Sequence, residues 1–303
     1  MYSYFNECLP RNQVVEQYAS ALQDTALAYA SLKKRHNNLE GIVSTVEWNS
    51  MLMSDDGISL GDCIKKIQNQ SVRNLVCSWL KNYPVREYLD ETINEDDLIE
   101  QSYTLSIAET EYPATNLAIA HYNGIFLFTL GIHEDLRKNE LTLVGAGDKS
   151  LSVCNLYSQQ PENVAFVEQF ITDAEYSVLS ITEQIDRLLA GRVKRTKVYC
   201  QTFSKLGEAN QQAILERLNK AKELDLLDFK VDDDIFKHTR GFDKKESYYG
   251  PVYELRVREP QEIRIYFQYV ENMYYVLSMG GKGTDQNSDI AQAFDRIKQI
   301  RQL

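Results

Sequence analysis

A chain of 303 residues that is 43% hydrophobic and 25% charged is longer than a typical single domain, and this composition excludes global disorder. The longest apolar run, residues 124–132, is too short to cross a bilayer as a helix, and the N-terminus lacks the basic start and apolar core of a signal peptide. The five cysteines are scattered without metal-ligand spacing, which predicts buried thiols in a reducing cytoplasm, no disulfide framework and no metal site.

Helices are the main predicted elements near the N-terminus. Apolar residues recur at helical spacing over residues 12–36. Ser59 is a predicted N-cap for a second helical stretch, which is expected to end before Pro84. The acidic run at residues 90–100 is interpreted as a solvated loop or the start of a helix.

A small sheet with flanking helices is predicted next. A short helix is predicted at residues 115–121, and strands at residues 125–130, 141–144 and 152–157. Two further helices follow, one that begins at Pro161 and one at residues 175–190. Residues 1–191 are therefore predicted to form an acidic mixed α/β domain. They contain no glycine-rich phosphate loop, no serine nucleophile elbow and no His-Glu-x-x-His motif, and their predicted role is regulatory or sensory.

The charge balance changes near Gly191, where the last of these helices is expected to end. The net charge of the chain is -11. Residues 1–191 carry 13 Lys and Arg against 27 Asp and Glu, a balance of -14, whereas residues 192–303 carry 20 against 17, a balance of +3. A second domain is therefore predicted over residues 195–303. Its mildly basic surface is expected to approach a polyanion, whereas the acidic first domain could also serve solubility alone.

The second domain is predicted to be α+β in the order β-α-β-β-β-α. Its elements are a strand at Lys197–Phe203, a helix at residues 208–224, strands at residues 252–257, 262–269 and 273–279, and a terminal helix at residues 288–302. Residues 225–250 are predicted to be irregular and charged. Tight turns join the last three strands, so these strands are expected to pair antiparallel, with the helices packed on one face of the sheet.

Three motifs stand in order along this second domain. They are YELR at residues 253–256, IRIY at residues 263–266, and a strand with a lysine-bearing glycine turn at residues 276–284, followed by a closing helix. Together they resemble the RelE/ParE toxin superfamily, and its HigB-like members in particular, over roughly the last third of the chain. The resemblance implies a toxin that cleaves RNA, as ribosome-bound mRNA, without a metal or cofactor, and that has an antitoxin or trigger protein as partner.

The motifs place three cations where such a site would need them. Cleaving RNA by attack of its own 2'-hydroxyl requires a base, an acid, and stabilisation of the pentavalent phosphate, which guanidinium and ammonium groups can provide. Arg256, Arg264 and Lys282 are therefore the predicted catalytic residues. Plainer interpretations also stand: Arg256 could pair with Glu254 or Asp295. Arg264 and Lys282 could be solvent-facing residues of a strand and a turn.

The predicted substrate-binding residues are aromatic or basic: Tyr253, Tyr249, Lys244, Lys245 and His238. Tyrosine rings can stack on unpaired bases, and histidine can act as an acid or a base. The alternative for the tyrosines is packing, which is the commoner role on strands, and a lone loop histidine is usually not catalytic.

The second domain departs from the pattern it resembles at two points. A single lysine precedes Gly283 where the family carries a lysine pair, and the last helix ends without a histidine or tyrosine. Two alternatives therefore stay open, a ParE-like toxin that inhibits DNA gyrase and a non-catalytic interaction module. In the leading hypothesis, the acidic first domain restrains the toxin-like domain, in a system for growth arrest or phage defence. The oligomeric state is left open.

Overall fold

A computed structural model of the chain describes residues 1–88, 101–232, 234–281 and 283–301. The chain divides into two compact units, Met1–Ser177 and Val178–Leu303, and its class is α+β. This division precedes the boundary predicted at Gly191, because Ile185 and Leu189 pack into the hydrophobic core of the second unit. The acidic run at residues 90–100 lies outside the described residues.

The described part of the first unit contains one sheet of seven strands. The strands are β1 (Ser3–Phe5), β2 (Ile42–Val43), β3 (Thr104–Ile107), β4 (Thr110–Pro113), β5 (Phe126–Phe128), β6 (Glu140–Val144) and β7 (Ser150–Leu156). Their order is β2-β1-β5-β7-β6-β3-β4, and the first four are parallel while the others pair antiparallel. All residues of β1 and β5 are buried, as expected for parallel strands that are covered on both faces.

Helices of the first unit agree with the predicted ones except at its end. They are α1 (Val15–Arg35), α2 (Leu60–Lys66), α3 (Gln70–Trp79), α4 (Thr115–Tyr122) and α5 (Pro161–Ser177). The predicted cap at Ser59 is confirmed, since its hydroxyl accepts a hydrogen bond from the Asp62 amide at 3.1 Å. The single helix predicted over residues 175–190 is wrong. A separate helix begins at Ile181, because Ser180 and Glu183 form a capping box there.

The described residues of the second unit form a five-stranded sheet with several helices. Its elements are α6 (Ile181–Leu188), β8 (Val193–Arg195), α7 (Lys197–Phe203), α8 (Glu208–Glu223), β9 (Phe236–His238), α9 (Asp243–Tyr249), β10 (Tyr253–Val257), β11 (Ile263–Val270), β12 (Met273–Gly281) and α10 (Gln286–Arg301). The strand order is β8-β12-β11-β10-β9, in which only β8 runs parallel to its neighbour. The predicted antiparallel pairing of the last three strands is confirmed.

The strand predicted at Lys197–Phe203 is wrong, because this segment is the helix α7. Thr196 caps it by accepting a hydrogen bond from the Tyr199 amide at 3.2 Å. Tyr199 and Phe203 are buried one helical turn apart, so the apolar residues fit a helix face as well as a strand. The short strand β9 lies within the segment that was predicted to be irregular.

Helices cover both faces of the second sheet, which corrects the prediction that they pack on one face. Ile214 and Leu218 of α8 share a core with Ile265 of β11. The opposite face of β11 presents Tyr266, which packs with Phe294 of α10 in a separate core. This arrangement places α10 over the sheet face that carries the even-numbered residues of β10 and β11.

Candidate functional site

Arg256 of β10 and Arg264 of β11 lie directly opposite each other in the antiparallel register. Residues opposite each other in such a pair project to the same face of the sheet. Both guanidinium groups therefore leave the sheet on the side that α10 covers, next to Tyr266. The structure thus brings together two of the three predicted catalytic residues. The third, Lys282, lies outside the described residues.

Each arginine is bound to a glutamate two residues earlier in the chain. Arg256 donates from Nε to Oε1 of Glu254 at 2.7 Å, and Arg264 donates from Nη2 to Oε1 of Glu262 at 2.6 Å. Burial acts to lower the pKa of Arg264, but the hydrogen bond and charge of Glu262 outweigh it and raise the pKa overall. The two positive charges are therefore balanced by two carboxylates.

Glu254 connects the strand to the helix above it. Its side chain is only 1% exposed, and its second oxygen accepts a hydrogen bond from Nε2 of Gln286 at 3.0 Å. Glu254 is thus the partner of Arg256, whereas Asp295, the other partner considered, binds Lys245 at 3.1 Å. A carboxylate that is held from two sides fixes the direction of the Arg256 guanidinium fork.

Buried polar atoms continue this cluster below the arginines. The hydroxyls of Tyr266 and Ser278, together with Nε of Arg264, are buried beside the two ion pairs. Tyr266 and Ser278 are cross-strand partners, so they share the face of the arginines. Burial above all, with added effects of Glu254 and Asp289, raises the pKa of Tyr266 well above its usual value, so its hydroxyl stays protonated.

Tyr253 and His238 lie away from the arginines. They are cross-strand partners, and Tyr253 projects to the face opposite Arg256 because it has an odd position in β10. Its ring packs edge-on against Phe229, with 4.3 Å between the ring centroids. Nε2 of His238 lies 3.4 Å from Glu246. The structure therefore does not bring Tyr253 and His238 to the face of the arginines, and packing accounts for Tyr253.

The remaining predicted binding residues belong to α9, which packs beside α10. Lys244 is exposed, whereas the ammonium group of Lys245 pairs with Asp295 and lies 5.9 Å above the ring of Phe294. Tyr249 is half-buried, and Nζ of Lys298 lies 5.8 Å from the centre of its ring. Lys245 and Tyr249 thus have structural partners, and Lys244 is the more accessible of the two lysines.

Sequence reasoning missed four members of the cluster, Glu262, Tyr266, Ser278 and Gln286. The spacing Glu-x-Arg occurs at both Glu254 and Glu262, and residues two apart on a strand share a face. That repeat could have indicated two ion pairs. Tyr266 stands two residues after Arg264 and follows the same rule, whereas Gln286 comes from a distant helix and has no such local signal.

No protein-family model, curated protein or solved structure matches this chain. The resemblance of the second unit to a toxin superfamily therefore rests on its motifs alone. Within the described ranges, no helix combines the length and apolar character that spanning a bilayer requires.

Proposed function

We propose that the second unit is a RelE/ParE-like ribonuclease module that binds RNA through the partly exposed guanidinium groups of Arg256 and Arg264, beside α10. The observation that carries this proposal is their direct cross-strand pairing. Two planar guanidinium groups on one face offer several N–H donors to a single phosphate, and they can stabilise the charge of a pentavalent intermediate. The ion pairs with Glu254 and Glu262 use only part of each donor fork.

The proposed reaction is attack of the 2'-hydroxyl of RNA on the neighbouring phosphate without a metal. The bond from phosphorus to the 5'-oxygen of the next nucleotide breaks, and this oxygen takes a proton from water, so the products are a 2',3'-cyclic phosphate and a 5'-hydroxyl. The carboxylate assigned as base must be reachable by the substrate. Glu262 is 33% exposed, whereas Glu254 is 1% exposed, so Glu262 is the proposed base and Glu254 the residue that positions Arg256. Ribosome-bound mRNA is the proposed substrate, as the motif resemblance implies. The five cysteines are unpaired, and we place the protein in the cytoplasm on that basis.

The acidic first part of the chain is proposed to restrain this activity until a trigger or antitoxin changes it. The charge balance of -14 over residues 1–191 against +3 over the rest supports an electrostatic restraint, since both RNA and this domain would attract a basic surface. Growth arrest, for example in defence against phage, is the proposed outcome of its release.

The experiment is cleavage of ribosome-bound mRNA by the unit Val178–Leu303, which lacks the proposed restraint, mapped by primer extension. Variants Arg256→Gln, Arg264→Gln and Glu262→Gln are expected to lose cleavage by about a hundredfold or more. Arg258→Gln is the matched control, because Arg258 stands in the adjacent turn. Cleavage that survives in both arginine variants would contradict the proposal.

A non-catalytic module, including a ParE-like gyrase inhibitor, is the second candidate. The observation that favours it is the neutralisation of both arginines by glutamates, which suits a structural role for all four side chains. The same variants separate the two candidates. Toxicity that persists in Arg256→Gln and Arg264→Gln, with loss of supercoiling in cells and intact mRNA, would support gyrase inhibition.

A further inference from the structure

A polar cleft of about 700 Å³ opens in the first unit, where the parallel strands β5 and β7 end. Three segments line it: one face of α1, the loop after β5, and the loop between β7 and α5. In open sheets with parallel strands, small ligands bind in crevices outside the carboxyl ends of neighbouring strands. The volume falls within the range of roughly 300–1,000 Å³ that small-molecule sites occupy.

The walls of this cleft are fixed in place by α1. The buried hydroxyl of Thr25 lies 2.9 Å from the carbonyl oxygen of Thr129 and 3.0 Å from that of Tyr157, and thereby ties the helix to the ends of both strands. Asp24 accepts a hydrogen bond from Nε2 of Gln159 at 2.8 Å, which ties the helix to the loop after β7. The cleft is therefore preformed, and a ligand would bind without ordering these segments first.

Arg137 is an anchored cation at this cleft. Its Nε donates to the carbonyl oxygen of Gly131 at 2.7 Å, and no carboxylate among the described residues pairs with its guanidinium. Gly131 permits this geometry: a Cβ there would lie 2.9 Å from the carbonyl oxygen of Tyr157 and 3.5 Å from Cγ of Arg137. An exposed guanidinium that is held through Nε keeps its terminal donors for a ligand, and a phosphate accepts two of them at once.

The rest of the lining is suited to a flat polar group. Glutamine side chains contribute amides that each carry a donor and an acceptor, as the edges of nucleobases do. These are Gln17, Gln23, Gln159 and Gln160. Leu27 and Ile132 add apolar surface against which a base can pack. We propose that the cleft binds a mononucleotide, with its phosphate on Arg137 and its base among the glutamine amides.

Calorimetric titration of the full-length protein with AMP, GMP, CMP and UMP tests this site. At least one of the four is expected to bind, and Arg137→Gln is expected to weaken it by about tenfold or more. Arg73→Gln is the matched control, since Arg73 also donates to a carbonyl oxygen, that of Ile67 at 2.8 Å, but lies outside the cleft. Its affinity is expected to equal that of the unaltered protein.

Two further variants extend the test, and Gln23→Glu, at a half-buried surface position, keeps it independent of folding defects. Gly131→Ala should abolish binding by displacing Tyr157 or Arg137, and Gln23→Glu should weaken it by placing a negative charge at the half-buried lip of the cleft. Three results would overturn the proposal. They are no binding of any mononucleotide, an affinity in Arg137→Gln and Gln23→Glu equal to that of the unaltered protein, and inorganic phosphate binding as tightly as the best nucleotide. None of these results depends on whether the second unit cleaves RNA.

Discussion

The amide of Gln286 donates to the buried carboxylate of Glu254 at 3.0 Å and so joins the first turn of α10 to β10. The same carboxylate binds Arg256, and the paired register places Arg264 opposite that arginine. The position of the terminal helix is thereby linked to the direction of both guanidinium groups. A change at Glu254 should affect packing and the proposed phosphate site together.

Glu254→Gln is expected to destabilise the second unit. The substitution replaces a buried carboxylate by an amide. Arg256, which is 26% exposed, then has no charge partner. The expected loss is about 2–4 kcal/mol, since removing one member of a largely buried pair leaves the other uncompensated. Hydrogen exchange of the β10 and β11 amides in the full-length protein measures this free energy.

Asp295→Asn is the control for that measurement. Asp295 is 73% exposed and its partner Lys245 is 39% exposed, and surface pairs of this kind typically contribute about 1 kcal/mol or less. Equal loss in both variants would show that the burial of Glu254 does not distinguish it energetically.

The positions of the two arginines can be predicted from the sequence by local rules. The tight turn between residues 257 and 263 implies a hairpin, and alternation along β10 and β11 then places Arg256 and Arg264 on one face. The contact of Gln286 with Glu254 is different. It joins residues that are 32 positions apart in the chain, and it depends on how the terminal helix packs on the sheet. Long-range packing of that kind leaves no periodic signal.

The mistaken strand at Lys197–Phe203 has a physical cause. Val198, Tyr199 and Phe203 belong to residue types that favour strands, but propensity is weak where tertiary contacts decide. The cap at Thr196 and the core contacts of Tyr199 and Phe203 favour the helix. The neighbouring Val193–Arg195 instead forms the edge strand β8, too short to give an alternating pattern.

A fragment that begins at Val178 is expected to fold, whereas one that begins at residue 195 is expected to be much less stable. The shorter fragment loses Ile185 and Leu189, which are 4% and 3% exposed in the core. Emptying a core position typically costs about 2–5 kcal/mol. The midpoint of thermal unfolding, followed by circular dichroism, should therefore differ by more than about 10 °C. Similar midpoints would show that α6 contributes little to this core.

Gly280→Ala is expected to displace the start of α10. A Cβ at this position would lie 2.1 Å from Oδ2 of Asp289 and 2.8 Å from its Cγ, and Gly280 is the cross-strand partner of Arg264. Relief of such overlap typically costs about 1–3 kcal/mol. The measurement is again amide exchange, in α10 and β12. Gly207→Ala is the matched control, because a Cβ there meets nothing within 4 Å, and this variant should keep the exchange rates unchanged.

Thiol reactivity should divide the cysteines by burial. Burial above all raises the pKa of Cys8 and Cys154 to about 12 and that of Cys63 to about 11, whereas Cys200 is exposed. The thiolate is the nucleophile, so a raised pKa leaves almost none of it at pH 7.5. Iodoacetamide, followed by mass spectrometry over time, should modify Cys200 more than about a hundredfold faster than these three. The difference should vanish in concentrated urea, and rapid labelling of Cys8 or Cys154 in buffer would contradict the assigned burial.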